Sequence, residues 1–180
     1  MSDILLIEQC RAQNPKAQMQ LYKQYCEGMF IVASRYMKDA AAAEDALQEA
    51  FIKAFTKLHQ YKGDVTFGAW LKRIVVNTCL DAIKARKMEL NQINEETMSI
   101  VEEDSWEVDD TVTAKEVADA IETLPDPYKT VVKLFLMEGY DHQEIAEIMQ
   151  ISESASRTNL FRGKKRLKEQ LKHLRYGTGY

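Results

Sequence analysis

DHQEIAEIMQISESASRTNLFRGKKRLKEQLK, residues 141–172, is the stretch on which the fold turns. Asp141 followed three residues later by Glu144 is a capping-box pattern for a helix start. Ile145, Ala146, Ile148 and Met149 then recur at the spacing of one buried helical face. A turn over 150–152 leads to a second helix from about Glu153. Two helices joined by three or four residues, the second one polar and basic, make a helix-turn-helix whose second helix enters the DNA major groove.

Ala146 permits close crossing of the pair, and Leu160 and Leu167 dock the second helix on the core, with Ser156 one turn earlier. Arg157, Thr158, Phe161, Arg162 and Lys165 then fall on the outward surface. Ser152 or Ser154 stands at the helix start, where free N–H groups and the helix dipole can hold a phosphate. Arg157 suits either guanine edges or phosphate. Arg162, Lys164, Lys165, Arg166 and Lys168 suit backbone contacts, which position the domain without reading sequence. A merely solvated basic face is the competing reading. The 8 basic against 2 acidic residues in 153–180, straight after a capped helix and a short turn, favour DNA.

Upstream of this pair, Val117, Ala120, Ile121 and Leu124 predict a short amphipathic helix ending before Pro125. Pro127 can open the next helix, which carries Val131, Val132, Leu134, Phe135 and Met137, with Gly139 as its C-terminal cap. The second block is therefore four helices, over 113–176. Before it, residues 89–110 hold 9 acidic residues and no basic one, and lose all periodicity. A segment of that kind repels itself and buries little, which predicts a flexible acidic linker over 89–112.

The first block, within 1–88, has its first helix start at Asn14-Pro15, with apolar residues from Met19 to Tyr36 at helical spacing. A break at Lys38-Asp39 precedes a helix from about Ala41, where Leu47, Ala50, Phe51, Ala54, Phe55 and Leu58 form one stripe. Asp45, Gln48, Glu49 and Lys53 lie on the other side. A loop from His59 to Thr66 holds Gly63, and a long helix runs from Phe67 to about Lys87. On that helix Trp70, Asn77, Asp81 and Lys84 share one side, with Arg73 beside them. Asn77 is the best base or phosphate contact among these; Trp70 suits core packing more than stacking on a base.

The bulk figures agree with an all-α chain: 180 residues with only 7 Gly and 3 Pro leave few turns. The net charge of −4 is divided into two basic blocks and two acidic stretches, and a local basic face matters more to phosphate than the average. Three cysteines without CxxC or Cys/His clustering argue against a disulfide framework or a metal site and fit a reducing cytoplasm. The N-terminus lacks a signal-peptide pattern, and no apolar run reaches membrane-spanning length. No phosphate loop or Ser/His/Asp pattern points to an enzyme or a cofactor. His59, His142 and His173 are far apart and read as surface or helix-end residues without evident partners.

LPDPYKTVVKLFLMEGYDHQEIAEIMQISESASRTNLFRGKKRL, residues 124–167, resembles the fourth conserved region of sigma factors of the extracytoplasmic-function (ECF) group of the sigma-70 family. EDALQEAFIKAF (44–55) resembles the family's polymerase-binding segment, and FGAWLKRIVVNTCLDAIKARK (67–87) the helix flanking its −10 loop. The matches fall in the family's order, with a linker between them.

The resemblance implies two domains: region 2 over 1–88 and region 4 over 113–176. It implies that Asp45, Gln48, Glu49 and Lys53 bind the β′ clamp helices of core RNA polymerase. It places −10 DNA contacts at Tyr61, Lys62, Phe67, Arg73, Asn77, Lys84 and Arg86. The loop over 60–67 would hold a flipped-out base, which suits single-stranded promoter DNA. The −35 contacts would be Ser154, Arg157, Thr158, Phe161, Arg162 and Lys165, with docking on the β flap. A cognate anti-sigma factor is implied as a further partner.

The sequence departs from the family pattern at Ser154-Ala155-Ser156, where a Gly-Thr-Val-like run is common, and at Gly163, where alanine is usual. A glycine inside a helix is expected to cost up to about 1 kcal/mol. A stand-alone regulator that binds operators without polymerase is the alternative; it calls for a ligand pocket or dimer seam, and neither is evident.

Overall fold

The computed structural model describes residues 3–88 and 112–176; the expected acidic linker lies outside them except for Val112. The chain divides into two compact units, Met1–Asn94 and Glu95–Tyr180. The described residues are helical, with no strand among them.

Unit 1 consists of α1 (Asp3–Arg11), α2 (Pro15–Ser34), α3 (Ala40–Thr56) and α4 (Phe67–Met88), with a 3-10 turn, Leu58–Gln60, after α3. Sequence periodicity starts this block's first helix at Asn14 and gives no sign of α1. Nine residues are too few for a helix to persist unaided, so α1 depends on tertiary packing. Leu6, Ile7 and Cys10 supply it, all buried at i, i+1 and i+4. Gln13 takes a left-handed conformation (φ 60°) that turns the chain, and the Asn14 side chain then accepts the N–H groups of Lys16 and Ala17 to start α2. Asp39 starts α3 in the same way, accepting from Ala42 N at 2.8 Å. The expected α3 stripe packs inward: Leu47, Ala50, Phe51, Ala54 and Leu58 are buried, against Leu21 of α2 and Leu71, Val75, Val76 and Cys79 of α4.

Unit 2 consists of α5 (Ala114–Glu122), α6 (Asp126–Val132), α7 (His142–Met149) and α8 (Glu153–Tyr176). Thr113 and Glu116 form a complete capping box on α5. Pro125 and Pro127 flank the start of α6, where a missing N–H leaves no hydrogen bond unmade. The α6 path continues into a π-helical turn, Lys133–Met137, which sequence patterning did not reveal. Gly139 follows at φ 76°, in the left-handed region its cap role requires. Ile121, Leu124, Val131, Val132, Leu134, Ile145, Leu160 and Leu167 make the core.

Gly163 has a reason that only the packing reveals. A Cβ built there would stand 2.6 Å from Val132 Cγ2 and 3.3 Å from Tyr128 Cβ. The α6–α8 crossing is close enough to need a residue without a side chain at this point.

Candidate nucleic-acid interface

The helix-turn-helix is α7, a turn over 150–152, and α8. Asp141 accepts the Glu144 N–H at 2.8 Å, while the Glu144 carboxylate accepts the Asp141 N–H at 3.0 Å, completing the capping box. The turn is made by Gln150 at φ 56° and closed by Ser152, whose hydroxyl accepts the Ala155 N–H at 3.0 Å. Ser152, rather than Ser154, therefore caps α8. A non-glycine residue in the left-handed region is strained by roughly 1–2 kcal/mol. The tight turn holds Gln150 there, and Ile151 N bonds back to Ala146 O.

Ser156, Leu160, Gly163, Leu167 and Leu171 form the inward face of α8. Ser156 is fully buried, and its hydroxyl shares a 2.9 Å hydrogen bond with His142 Nδ1 at the start of α7. His142 stacks on Phe135 with ring centroids 5.1 Å apart, and Lys164 lies 5.5 Å over the same Phe135 ring. His142 thus has partners that the sequence did not reveal. Burial first, and then the nearby Arg157 cation, push its pKa below the ordinary histidine value.

Ser154, Arg157 and Lys165 are exposed, and Phe161 and Arg162 are half-buried. Arg157 lies 3.7 Å from Glu153 in an exposed ion pair, which water weakens and a phosphate or base can replace. Thr158 departs from expectation: it is only 6% exposed and already interacts within the chain. It is withdrawn from the readable surface.

In unit 1 the residues expected around the −10 loop surround an aromatic cluster. Tyr61 packs against Phe67 at 5.6 Å and Trp70 at 5.4 Å, and Phe67 against Tyr25 at 5.2 Å. Phe67, expected to touch DNA, is 4% exposed and belongs to this cluster; an apolar ring opening a helix packs when other rings surround it. Trp70, expected to be core, is half-buried and packs its ring against Phe67 at 5.6 Å. Tyr61 is half-buried, and its hydroxyl donates to Val65 O at 2.8 Å. Lys62, Lys84 and Arg86 are exposed, whereas Arg73 and Asn77 are half-buried along α4. Beside the loop lies a cleft of about 760 Å³, lined by Ile7, Glu8, Arg11, Tyr61, Lys62 and Thr66 among others.

On α3, Asp45, Gln48 and Glu49 are exposed, and half-buried Lys53 pairs with Glu49 at 2.7 Å. Ile52, 68% exposed, stands among them at i+3 and i+4 from Glu49 and Gln48. Ile52 is not among the residues expected on this face; in the sequence its signal is an apolar residue lying off the buried stripe.

The three cysteines are free. Burial pushes the Cys79 thiol up to about 12, so it is no nucleophile. Among the described residues no cluster of His, Cys, Asp and Glu could hold a metal, and no helix is long and apolar enough to cross a membrane.

Two small helical units, one with a basic helix-turn-helix, define a class of transcription factor, and comparison with known proteins narrows it. Sigma-70 region 2 matches residues 21–88, and sigma-70 region 4 matches residues 114–167. The chain is 29% identical to the RNA polymerase sigma-H factor of Pseudomonas aeruginosa, over 96% of this chain and 95% of that one. It is 28% identical to the ECF RNA polymerase sigma-E factor of Escherichia coli K12, over 97% and 96% of the two chains. The ECF RNA polymerase sigma factor SigW of Bacillus subtilis is 28% identical, over 83% and 86%.

Among solved structures, CnrH bound to the cytosolic domain of CnrY matches with a TM-score of 0.57 and 22% identity, over 96% of this chain and 98% of CnrH. RpoE bound to the anti-sigma factor NepR, from Bartonella quintana, matches at 0.58 and 19%, over 86% and 96%. These two share the fold. The chain belongs to the sigma-70 family of RNA polymerase sigma factors, in its extracytoplasmic-function group.

Proposed function

We propose that this sigma factor binds core RNA polymerase and directs it to promoters, with unit 1 opening and reading the −10 element and unit 2 reading the −35 element. The observation that carries the reading is the outer face of α8. There Arg157 and Lys165 stand exposed on a helix whose other side is locked into the core by Ser156, Leu160, Gly163 and Leu167. A rigid helix with exposed cations suits the major groove.

On unit 1, Asp45, Gln48, Glu49 and Ile52 form the surface for the β′ clamp helices, Ile52 supplying an apolar anchor within a polar rim. The cleft beside residues 60–67 takes the flipped base. Tyr61 and Lys62 at its rim, with Arg73, Asn77, Lys84 and Arg86 along α4, meet the opened strand. Unit 2 docks on the β flap, and the acidic linker threads the polymerase cleft. A cognate anti-sigma factor holds the protein inactive; the solved relatives bound to CnrY and NepR support this partner. The work is done in the cytoplasm, where the transcription machinery lies.

Run-off transcription with core polymerase, on promoters selected from a randomised library, tests the proposal. The chain is expected to support initiation that neither component supports alone. Tight operator binding by the chain without initiation would leave a stand-alone regulator instead. In the same assay Arg157→Ala is expected to lower −35 selectivity by about 1–3 kcal/mol, the worth of one bidentate base contact.

A further inference from the structure

We infer that Arg11, on the N-terminal helix, is a positioning residue for the loop that reads the −10 base, which makes α1 part of the promoter reader. The inference rests on the function proposed for unit 1. Arg11 reaches across the fold to two backbone carbonyls. Its Nε donates to Leu58 O at 3.4 Å and its Nη2 to Tyr61 O at 2.5 Å, partners 47 and 50 residues away. The remaining arm, Nη1, donates to Glu8 Oε1 at 2.6 Å, one turn back on α1, which holds the guanidinium plane in place.

The two carbonyls bracket the 3-10 turn Leu58–Gln60 and mark where the loop leaves it. At the far side, the Tyr61 hydroxyl donates to Val65 O. One guanidinium and one phenol thus define the path of residues 61–65. Burial adds nothing beyond Tyr61, because Lys62, Gly63, Asp64, Val65 and Thr66 are all exposed. With Tyr61 packed on Phe67 and Trp70 as its one ring anchor, the exposed remainder of the loop takes its shape from the few hydrogen bonds it makes. A pocket that tells bases apart must be held to within about 0.5 Å.

The same helix also walls the cleft. Ile4, Ile7 and Glu8 line one side, facing Tyr61, Lys62 and Thr66. Since α1 precedes residue 21, where the match to region 2 begins, this side is built from outside the matched segment. A planar fork with several donors can serve two carbonyls and a carboxylate together; an ammonium cannot reproduce that geometry.

The test selects promoters from a library randomised at both elements, using core polymerase loaded with the full-length chain or its variants. Arg11→Ala is expected to reduce base discrimination at −10 by about tenfold, the scale of one charge-assisted hydrogen bond, and to leave −35 discrimination unchanged. Arg11→Lys is expected to recover part of it. Should the alanine variant fail to fold, the lysine variant carries the test by the same partial loss. Unchanged −10 discrimination in a variant would overturn the role of Arg11. So would an equal fall at both elements accompanied by a lower melting temperature, since that outcome reports stability alone. A wild-type chain that initiates without any −10 preference would overturn the reading of unit 1 and this inference with it.

Discussion

Gly163 shows how one residue can carry opposite meanings in sequence and in structure. As a helical glycine it costs up to about 1 kcal/mol against alanine. With Val132 Cγ2 only 2.6 Å from where a Cβ would sit, the added methyl strikes a β-branched side chain that is itself fully buried and unable to swing away. Overpacking of this kind costs about 1–3 kcal/mol, so it outweighs the gain in propensity. Gly163→Ala is therefore expected to lower stability by about 1–2 kcal/mol, net of that gain. Denaturant unfolding of the whole chain measures it, and an unchanged or raised midpoint would contradict the close crossing. Phe67 and Thr158 belong to the same scale. Residue type suggested contact with DNA for both, and both are buried; Tyr25, 42 residues away, Tyr61 and Trp70 pack around Phe67.

At the scale of the element, α7 and α8 are joined by their turn and also by the hydrogen bond between His142 and Ser156. The ring of His142 is half-buried, stacked on Phe135 and faced by Arg157 and Lys164 of α8, with Asp141 and Glu153 as the opposing carboxylates. Burial and the cations lower its folded pKa below the ordinary 6.5, so the folded state prefers the neutral ring. In the window just below pH 6.5 the unfolded chain binds more protons than the folded one, and stability rises with pH there. Acidification from neutrality is accordingly expected to destabilise the protein from about pH 6.5 downward. His142→Gln should flatten that part of the melting-temperature profile. A slope that persists in the variant would assign the effect to another group.

Most elements were legible because their start signals are local. Asn14-Pro15, Asp39, Pro125-Pro127 and Asp141 with Glu144 all place helix ends within a residue or two of where they lie. Three elements were not legible, the 3-10 turn Leu58–Gln60 within the expected loop being the smallest. The helix α1 is nine residues long and is held by what it packs against, and the π-helical turn Lys133–Met137 leaves no mark in a pattern searched at 3.6 residues per turn.

Taken as a whole molecule, the chain has a net charge of −4 and yet presents exposed cations at the two places where the proposed function needs DNA. On the proposed function, such modules are expected to bind free DNA weakly and to gain affinity when polymerase presents both elements together. Binding through phosphates releases counterions, so each lost contact flattens the salt dependence of the loaded polymerase by about one charge. Lys165→Gln is expected to do this almost equally on all promoter sequences, unlike Arg157→Ala, which should act mainly on −35 selectivity. A filter-binding series across salt concentrations separates the two, and sequence-dependent loss in the lysine variant would reverse its assignment.

The sequence by itself determined the helical class, the order of the helices, the helix-turn-helix and the family. These are written in local periodicity, capping residues and turn chemistry, which act over a few residues. Tertiary structure decided which candidates remain reachable. It buried Phe67 and Thr158, exposed Ile52, paired His142 with Ser156, gave Gly163 its purpose and set Arg11 against a loop 50 residues away. Those outcomes depend on which helices cross and how closely, and no stretch of local sequence encodes the distance between two residues that meet only after folding.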